Sequence, residues 1–148
     1  MKDKLVREWM TPNPICVPPE TTLPEAHRLM DEHRIRRLLV VKAGKLVGIV
    51  TRGDIRGAEP SEATSLSVWE LNYLLSELTL NRVMTRDPIT ISPQATIGEA
   101  AHLMLLHKIA GLPVVEDGQV VGILTESDIF RLVARTWVEA GDAVREPA

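Results

Sequence analysis

Residues 48–54 read GIVTRGD and residues 122–128 read GILTESD. Each is an apolar, strand-like run that ends in a Thr and an Asp at the same spacing, and the two lie 74 positions apart. Recurrence at a fixed offset marks a duplicated unit. Shifting the chain by 74 aligns residues 6–55 with residues 80–129 without a gap, and about 22 of the 50 pairs are identical. WMTPNPICV meets VMTRDPITI, TTLPEAHRLMDEHRI meets ATIGEAAHLMLLHKI, and RRLLVVKAGKLVGIVTRGDI meets AGLPVVEDGQVVGILTESDI.

Working outward, each copy spells the same order of elements. Residues 14–17 and 88–91 are short apolar stretches that read as a first strand. Thr22-x-x-Glu25 and Thr96-x-x-Glu99 are capping boxes that start a helix, with Pro24 where a missing N–H does no harm. Leu23, Ala26, Met30 and His33 recur at helical spacing, as do Ile97, Ala100, Met104 and His107. Asp117-Gly118 signals a type I′ hairpin between two strands, and Ala43-Gly44 does the same job less clearly. A second helix begins at each Thr-x-x-Asp, and in the second copy it carries Ile129, Val133 and Trp137 on one face. The fold class is α+β, as two β-α-β-β-α repeats. About 50 residues bury little surface alone, so the repeats are expected to pack sheet to sheet about a pseudo-twofold axis.

The expected division is residues 6–56 and 80–135 for the repeats, 57–79 for a linker and 136–148 for a tail without apolar period. The linker contains a helix opened by Ser67-x-x-Glu70, with an apolar stripe of Trp69, Tyr73 and Leu74. That stripe fits packing on its own module or a subunit interface.

Composition excludes several classes. Among 148 residues the net charge is −3, with no basic tail, so nucleic acid is not an expected partner despite the Arg34–Arg37 cluster. No apolar run reaches the ~18 residues of a membrane span, and the opening MKDKLVREWM is too charged for a secretory signal. The lone Cys16 cannot form an internal disulfide, which fits a cytoplasmic setting, and its strand position makes a small buried thiol the default. No nucleophile–base set, zinc-type Cys pair or P-loop is present, and the four histidines sit on the first helices without metal spacing. No enzymatic activity, catalytic cofactor or metal is expected. Taken alone, Thr-x-x-Asp is foremost a helix cap.

Two ordered copies of Met-Thr, helix, LPVVEDG-type hairpin and Gly-x-x-Thr-x-x-Asp resemble the CBS (cystathionine β-synthase) domain family, as one tandem pair, a Bateman module. The resemblance implies adenosine-containing ligands in two composite clefts. One cleft would use Thr51, Gly53 and Asp54 with Pro88, Ile89, Ile109 and Ala110. The other would use Thr125, Ser127 and Asp128 with Pro14, Ile15 and Ile35. A carboxylate accepts two hydrogen bonds and so suits the hydroxyls of a ribose, while the first-strand side chains suit a purine face. Basic residues at the positions of Arg36 and Arg37 reach ligand phosphates in that family, and strand alternation lets only one of the two do so directly.

The copies differ at these positions. Arg36, Arg37, Arg52 and Arg56 in the first copy face Ala110, Gly111, Glu126 and Phe130 in the second. The first cleft is therefore expected to be cationic and to take AMP, ADP or ATP. The second is expected to be empty, weak, or suited to a ligand of little negative charge such as an S-adenosylmethionine-like one, since Glu126 would repel phosphate if it points inward. The implied function is a regulatory nucleotide sensor, homodimeric through its helices and acting on a partner protein. The alternative is a structural dimerisation adaptor with degenerate clefts.

Overall fold

The computed structural model describes residues 3–59 and 65–139. In chain order the elements begin α1 (Val6–Trp9), β1 (Thr11–Pro12), β2 (Cys16–Val17), α2 (Leu23–His33), β3 (Arg37–Lys42), β4 (Lys45–Thr51) and α3 (Arg52–Ala58). They continue with α4 (Val68–Glu77), α5 (Leu80–Val83), β5 (Thr85–Arg86), α6 (Ile97–His107), β6 (Gly111–Glu116), β7 (Gln119–Thr125) and α7 (Glu126–Glu139).

Local chemistry explains the main elements. Ala43-Gly44 and Asp117-Gly118 all take left-handed φ, at 52° and 79° and at 52° and 78°, so both hairpins close on the two residues that a type I′ turn requires. Thr22 and Thr96 each accept the N–H three residues on, at 3.3 and 3.1 Å. The reciprocal bond that completes the box, Thr96 N–H to Glu99 Oε2, is made in the second repeat. Ser67 likewise accepts the Glu70 N–H at 3.2 Å.

The chain forms two compact units, and they are not the two sequence copies. One is continuous, Pro14–Pro88. The other joins the described residues up to Asn13 to those from Ile89 onward. The continuous unit holds a four-stranded sheet in the order β2-β3-β4-β5, with β2 parallel to β3 and the rest antiparallel. Leu23, Ala26 and Met30 of α2, Leu38 and Val40 of β3, Val50, Ile55, Leu80 and Met84 form its core. The discontinuous unit holds β1-β7-β6, all antiparallel, over Val6, Ile97, Ala100, Met104, Leu112, Val114, Leu124 and Leu132.

The short opening segments thus trade places: α1 and β1 complete the unit of the second copy, and α5 and β5 complete that of the first. Thr11 pairs with Ile123, and Thr85 with Ile49. Val6 and Leu80, each fully buried, anchor these segments.

Several expectations are corrected. The first strand of the second copy shrinks to one parallel bridge, Ile91 to Val114. In the first copy the Leu39 N–H donates to Ile15 O at 3.2 Å, whereas the matching residue is Pro113, which has no N–H to extend the ladder. The linker stripe does not pack on its module: Trp69 is 85% exposed and Tyr73 69% exposed, and no residue of α4 is buried. It is Leu71 and Leu75, half-buried, that turn toward α2. On α7 the fully buried side chain is Leu132, while Val133 and Trp137 lie exposed. Cys16 is exposed, with Sγ 3.5 Å from Pro14 O. Of the tail, residues 136–139 continue α7, and 140–148 lie outside the described residues.

Candidate functional site

The loop from β4 into α3 places the first Thr-x-x-Asp. The Thr51 hydroxyl accepts the Asp54 N–H at 3.1 Å, and the Asp54 Oδ2 accepts the Thr51 N–H at 2.9 Å, a closed reciprocal cap. The cap occupies one carboxylate oxygen only. Among the described residues no hydrogen bond reaches Asp54 Oδ1, and the side chain is half-buried. Arg37 stands opposite Thr51 in the β3–β4 register, and the Arg52 N–H donates to Arg36 O at 2.8 Å. Thr51, Gly53, Asp54, Arg36 and Arg37 therefore gather at one corner of the continuous unit. Pro14, Ile15, Ile35 and Pro88 belong to the same unit.

The second Thr-x-x-Asp is built differently. Asp128 is buried, 3% exposed. Its Oδ2 accepts both the N–H and the hydroxyl of Thr125, at 2.9 and 3.2 Å. Its Oδ1 accepts the Arg131 guanidinium at 2.8 Å and the Thr11 hydroxyl at 3.4 Å. Both oxygens are engaged, so Asp128 serves as a structural hub of its unit. Ser127 and Glu126 are exposed, and the Glu126 N–H donates to Ala110 O at 3.1 Å. Ile89, Ile109 and Ala110, half-buried, belong to this unit as well. Each unit thus carries the polar residues expected for one cleft and apolar residues expected for the other.

Arg52 departs from the cationic-cleft expectation. Its guanidinium donates to Asp31 Oδ1 at 2.7 Å and to Ile35 O at 3.3 Å, so its charge is largely matched within α2 and α3. That hydrogen bond, with the charges of His27 and Arg52 behind it, holds the Asp31 carboxyl below the usual carboxylate range. His27, one of the four first-helix histidines expected to carry no metal or catalytic role, sits between Asp31 Oδ2 at 3.2 Å and Glu59 Oε1 at 3.1 Å. An i, i+4 spacing signalled the first contact, whereas nothing local signalled Glu59, at the end of α3. Beside this network lies a small cavity of about 70 Å³, lined by Met30, Ile55 and Arg56 as well. A shallower groove of about 590 Å³ runs between α2 and α4.

Among the described residues, no group of three or more His, Cys, Asp and Glu side chains is placed to hold a metal ion. No described helix is long and apolar enough to cross a membrane.

Comparisons with known proteins follow the duplication. The family model "CBS domain" matches residues 6–61 and again 80–135. The chain is 42% identical over 117 residues to inosine-5′-monophosphate dehydrogenase of Korarchaeum cryptofilum, covering 78% of this chain and 21% of that enzyme. Two archaeal relatives are likewise spanned over 48% and 23% of their lengths. Among solved structures, the CBS domain pair of protein MJ0100, in complex with 5′-methylthioadenosine and S-adenosyl-L-methionine, superposes with a TM-score of 0.75 at 32% identity, over 90% of this chain and 98% of that one. CBSX2 in complex with AMP superposes with a TM-score of 0.74 at 29% identity, over 90% and 98%. The fold is that of a tandem CBS pair, and the chain belongs to the CBS domain family.

Proposed function

We propose that the chain is a regulatory module that binds an adenosine nucleotide of the AMP, ADP or ATP type and acts as a cytoplasmic sensor for a partner protein or for its own dimer. The observation that carries this reading is the open Oδ1 of Asp54, held beside Thr51 and Arg37 on a carboxylate already oriented by its cap. A carboxylate oxygen without a donor suits a ribose hydroxyl. The ligands of the MJ0100 pair and of CBSX2 are adenosine-containing, which supports the ligand class. Ile89, Ile109 and Ala110, half-buried apolar residues, are the ones expected to flank the base. The second cleft, at Thr125, Ser127 and Asp128 with Pro14, Ile15 and Ile35, is the weaker one, because both Asp128 oxygens are spent inside the fold. A ligand of this kind regulates only if it prefers one arrangement of the protein over another.

Calorimetric titration with AMP, ADP, ATP and S-adenosylmethionine tests the reading. Asp54→Ala and Arg37→Ala should each weaken nucleotide binding by about 10- to 100-fold, the worth of a charge-assisted hydrogen bond. Asp128→Ala should change it much less. Equal losses at both aspartates would defeat the asymmetry. The second reading, an adaptor that dimerises without ligand, is favoured by the exposed apolar side chains of α6 and α7. Absence of binding by all four ligands, with self-association intact, would select it.

A further inference from the structure

The two Thr-x-x-Asp motifs share a spacing but not the residue that lies one helical turn beyond the Asp. Asp128 is followed three positions on by Arg131, and Asp54 by Gly57. Residues three apart on a helix are surface neighbours. On α7 that neighbour is used: Arg131 Nη1 donates to Asp128 Oδ1 at 2.8 Å. On α3 there is no side chain to do the same. A Cβ built on Gly57 meets open space, and the cap of Asp54 occupies its Oδ2 alone.

The Asp128–Arg131 pair is uneven. The Asp128 side chain is 4% exposed, whereas that of Arg131 is 53% exposed. A carboxylate shut away from water needs donors on its oxygens. The guanidinium stands half in solvent and regains water when it leaves, so its departure forfeits little beyond one charge-assisted bond. Thr11 Oγ1, the other donor to Oδ1, stands at 3.4 Å, beyond the usual range of such a bond. Oδ2 is fixed by the Thr125 N–H and hydroxyl, which orient the carboxylate whether or not Arg131 is on it. A single hydroxyl donor could therefore stand in for Arg131.

We propose that Arg131 decides ligand occupancy at the second Thr-x-x-Asp. Its guanidinium sits where a sugar hydroxyl would bind, so the site is closed by one removable side chain rather than lost. This rests on the sugar-binding role given to Asp54 in the proposed function, and it adds the residue that separates the two sites. The ligand class follows from the charges left behind. Where the first copy has Arg36, Arg37 and Arg52, the second has Ala110, Gly111 and Glu126. With Arg131 withdrawn, the first turn of α7 carries only the acids Glu126 and Asp128. The opened site suits the vicinal hydroxyls of an uncharged or cationic nucleoside and repels a phosphate.

Calorimetric titration of the whole chain with adenosine, an uncharged probe, tests this. Asp54→Ala silences the first motif and gives the baseline. Adding Arg131→Ala should tighten adenosine binding by about 10- to 100-fold, the worth of the displaced charge-assisted bond. Adding Arg135→Ala instead, one turn further along α7, should not. The gain should vanish when Asp128→Ala is added. In the reverse direction, Gly57→Arg sets the same i, i+3 guanidinium beside Asp54 and should weaken adenosine binding by a similar factor in the otherwise wild-type chain. Arg131 and Gly57 are exposed helix positions, so far-UV circular dichroism is expected to be unchanged; Arg131→Gln replaces Arg131→Ala if it is not. An Arg131 variant without gain, an equal gain from Arg135→Ala, a gain that survives Asp128→Ala, or a Gly57→Arg chain that binds as tightly as wild type overturns the proposal. A wild type that already binds two adenosines per chain overturns it too, and an Arg131 that only steadies its helix would lower the melting temperature on removal without opening a site. AMP titration of the wild type reads the sensor function separately: its failure defeats that reading, while the adenosine gain on removing Arg131 would still stand.

Discussion

Met10 rests directly on the bare Cα of Gly122: a Cβ built there would stand 2.5 Å from Sδ and 3.0 Å from Thr11 O. Met84 does the same to Gly48, where Thr85 O would be 3.1 Å away. Each glycine is the flat spot on which an exchanged opening segment lies.

Gly122→Ala and Gly48→Ala should each destabilise the protein by about 1–3 kcal/mol, the usual cost of overpacking a filled site. Urea unfolding measures this. Adding Met10→Ala to Gly122→Ala should recover only part of the loss, because the Thr11 carbonyl remains in the way. Full recovery would mean that the methionine alone sets the requirement.

The two aspartates should differ in stability in the opposite sense to their effect on ligand. Asp128→Ala strips partners from the Thr125 N–H and from Arg131, and about 1–3 kcal/mol is expected. Asp54→Ala removes one cap bond and should cost nearer ~1 kcal/mol. Denaturation midpoints of the two variants, measured without ligand, decide between them.

Acid should erase the contribution of Asp31. Its carboxyl is held below the ordinary range in the folded protein, first by the Arg52 hydrogen bond. A lowered folded value means that the unfolded chain binds the proton more readily. The contribution is therefore present above about pH 4 and lost as pH falls through the folded value. Melting temperatures of wild type and Asp31→Asn, compared from pH 7 down to pH 2, should differ at neutrality and converge in acid. The effect should be small because the pair is exposed. A gap that stays constant throughout would refute it.

Trp69→Ser and Tyr73→Ser should leave the stability of the isolated chain within about 0.5 kcal/mol, since both side chains stand in solvent on α4. A larger loss on thermal unfolding would mean that these rings are covered in solution.

The legible part of this fold was what repeats and what punctuates. The 74-residue offset, the Thr and Ser caps and the Asp117-Gly118 turn are local signals, and each lies where its chemistry placed it. The missed features depend on contacts far apart in sequence. Four-residue helices such as α1 and α5 carry no period, so nothing local said that Val6 and Leu80 would be buried or which sheet they would join. The loss of the second first-strand followed from one Pro on its neighbour, Pro113, rather than from residues 88–91 themselves. At the candidate site, the spacing of Thr51 and Asp54 announces their cap, and only the family resemblance implies a ligand role. That Asp128 would be consumed by Thr11, 117 residues earlier, could not be read from the spacing.

The exchange of opening segments sets an order on biosynthesis. The continuous unit closes once residue 88 has left the ribosome, whereas residues 5–12 emerge ahead of it and find their partner strand, β7, only after residue 125 is made. Since domains fold as they are released, a stretch made before the continuous unit is seated after it. Until then the β7 edge stands uncovered, open to the same segment of a neighbouring nascent chain.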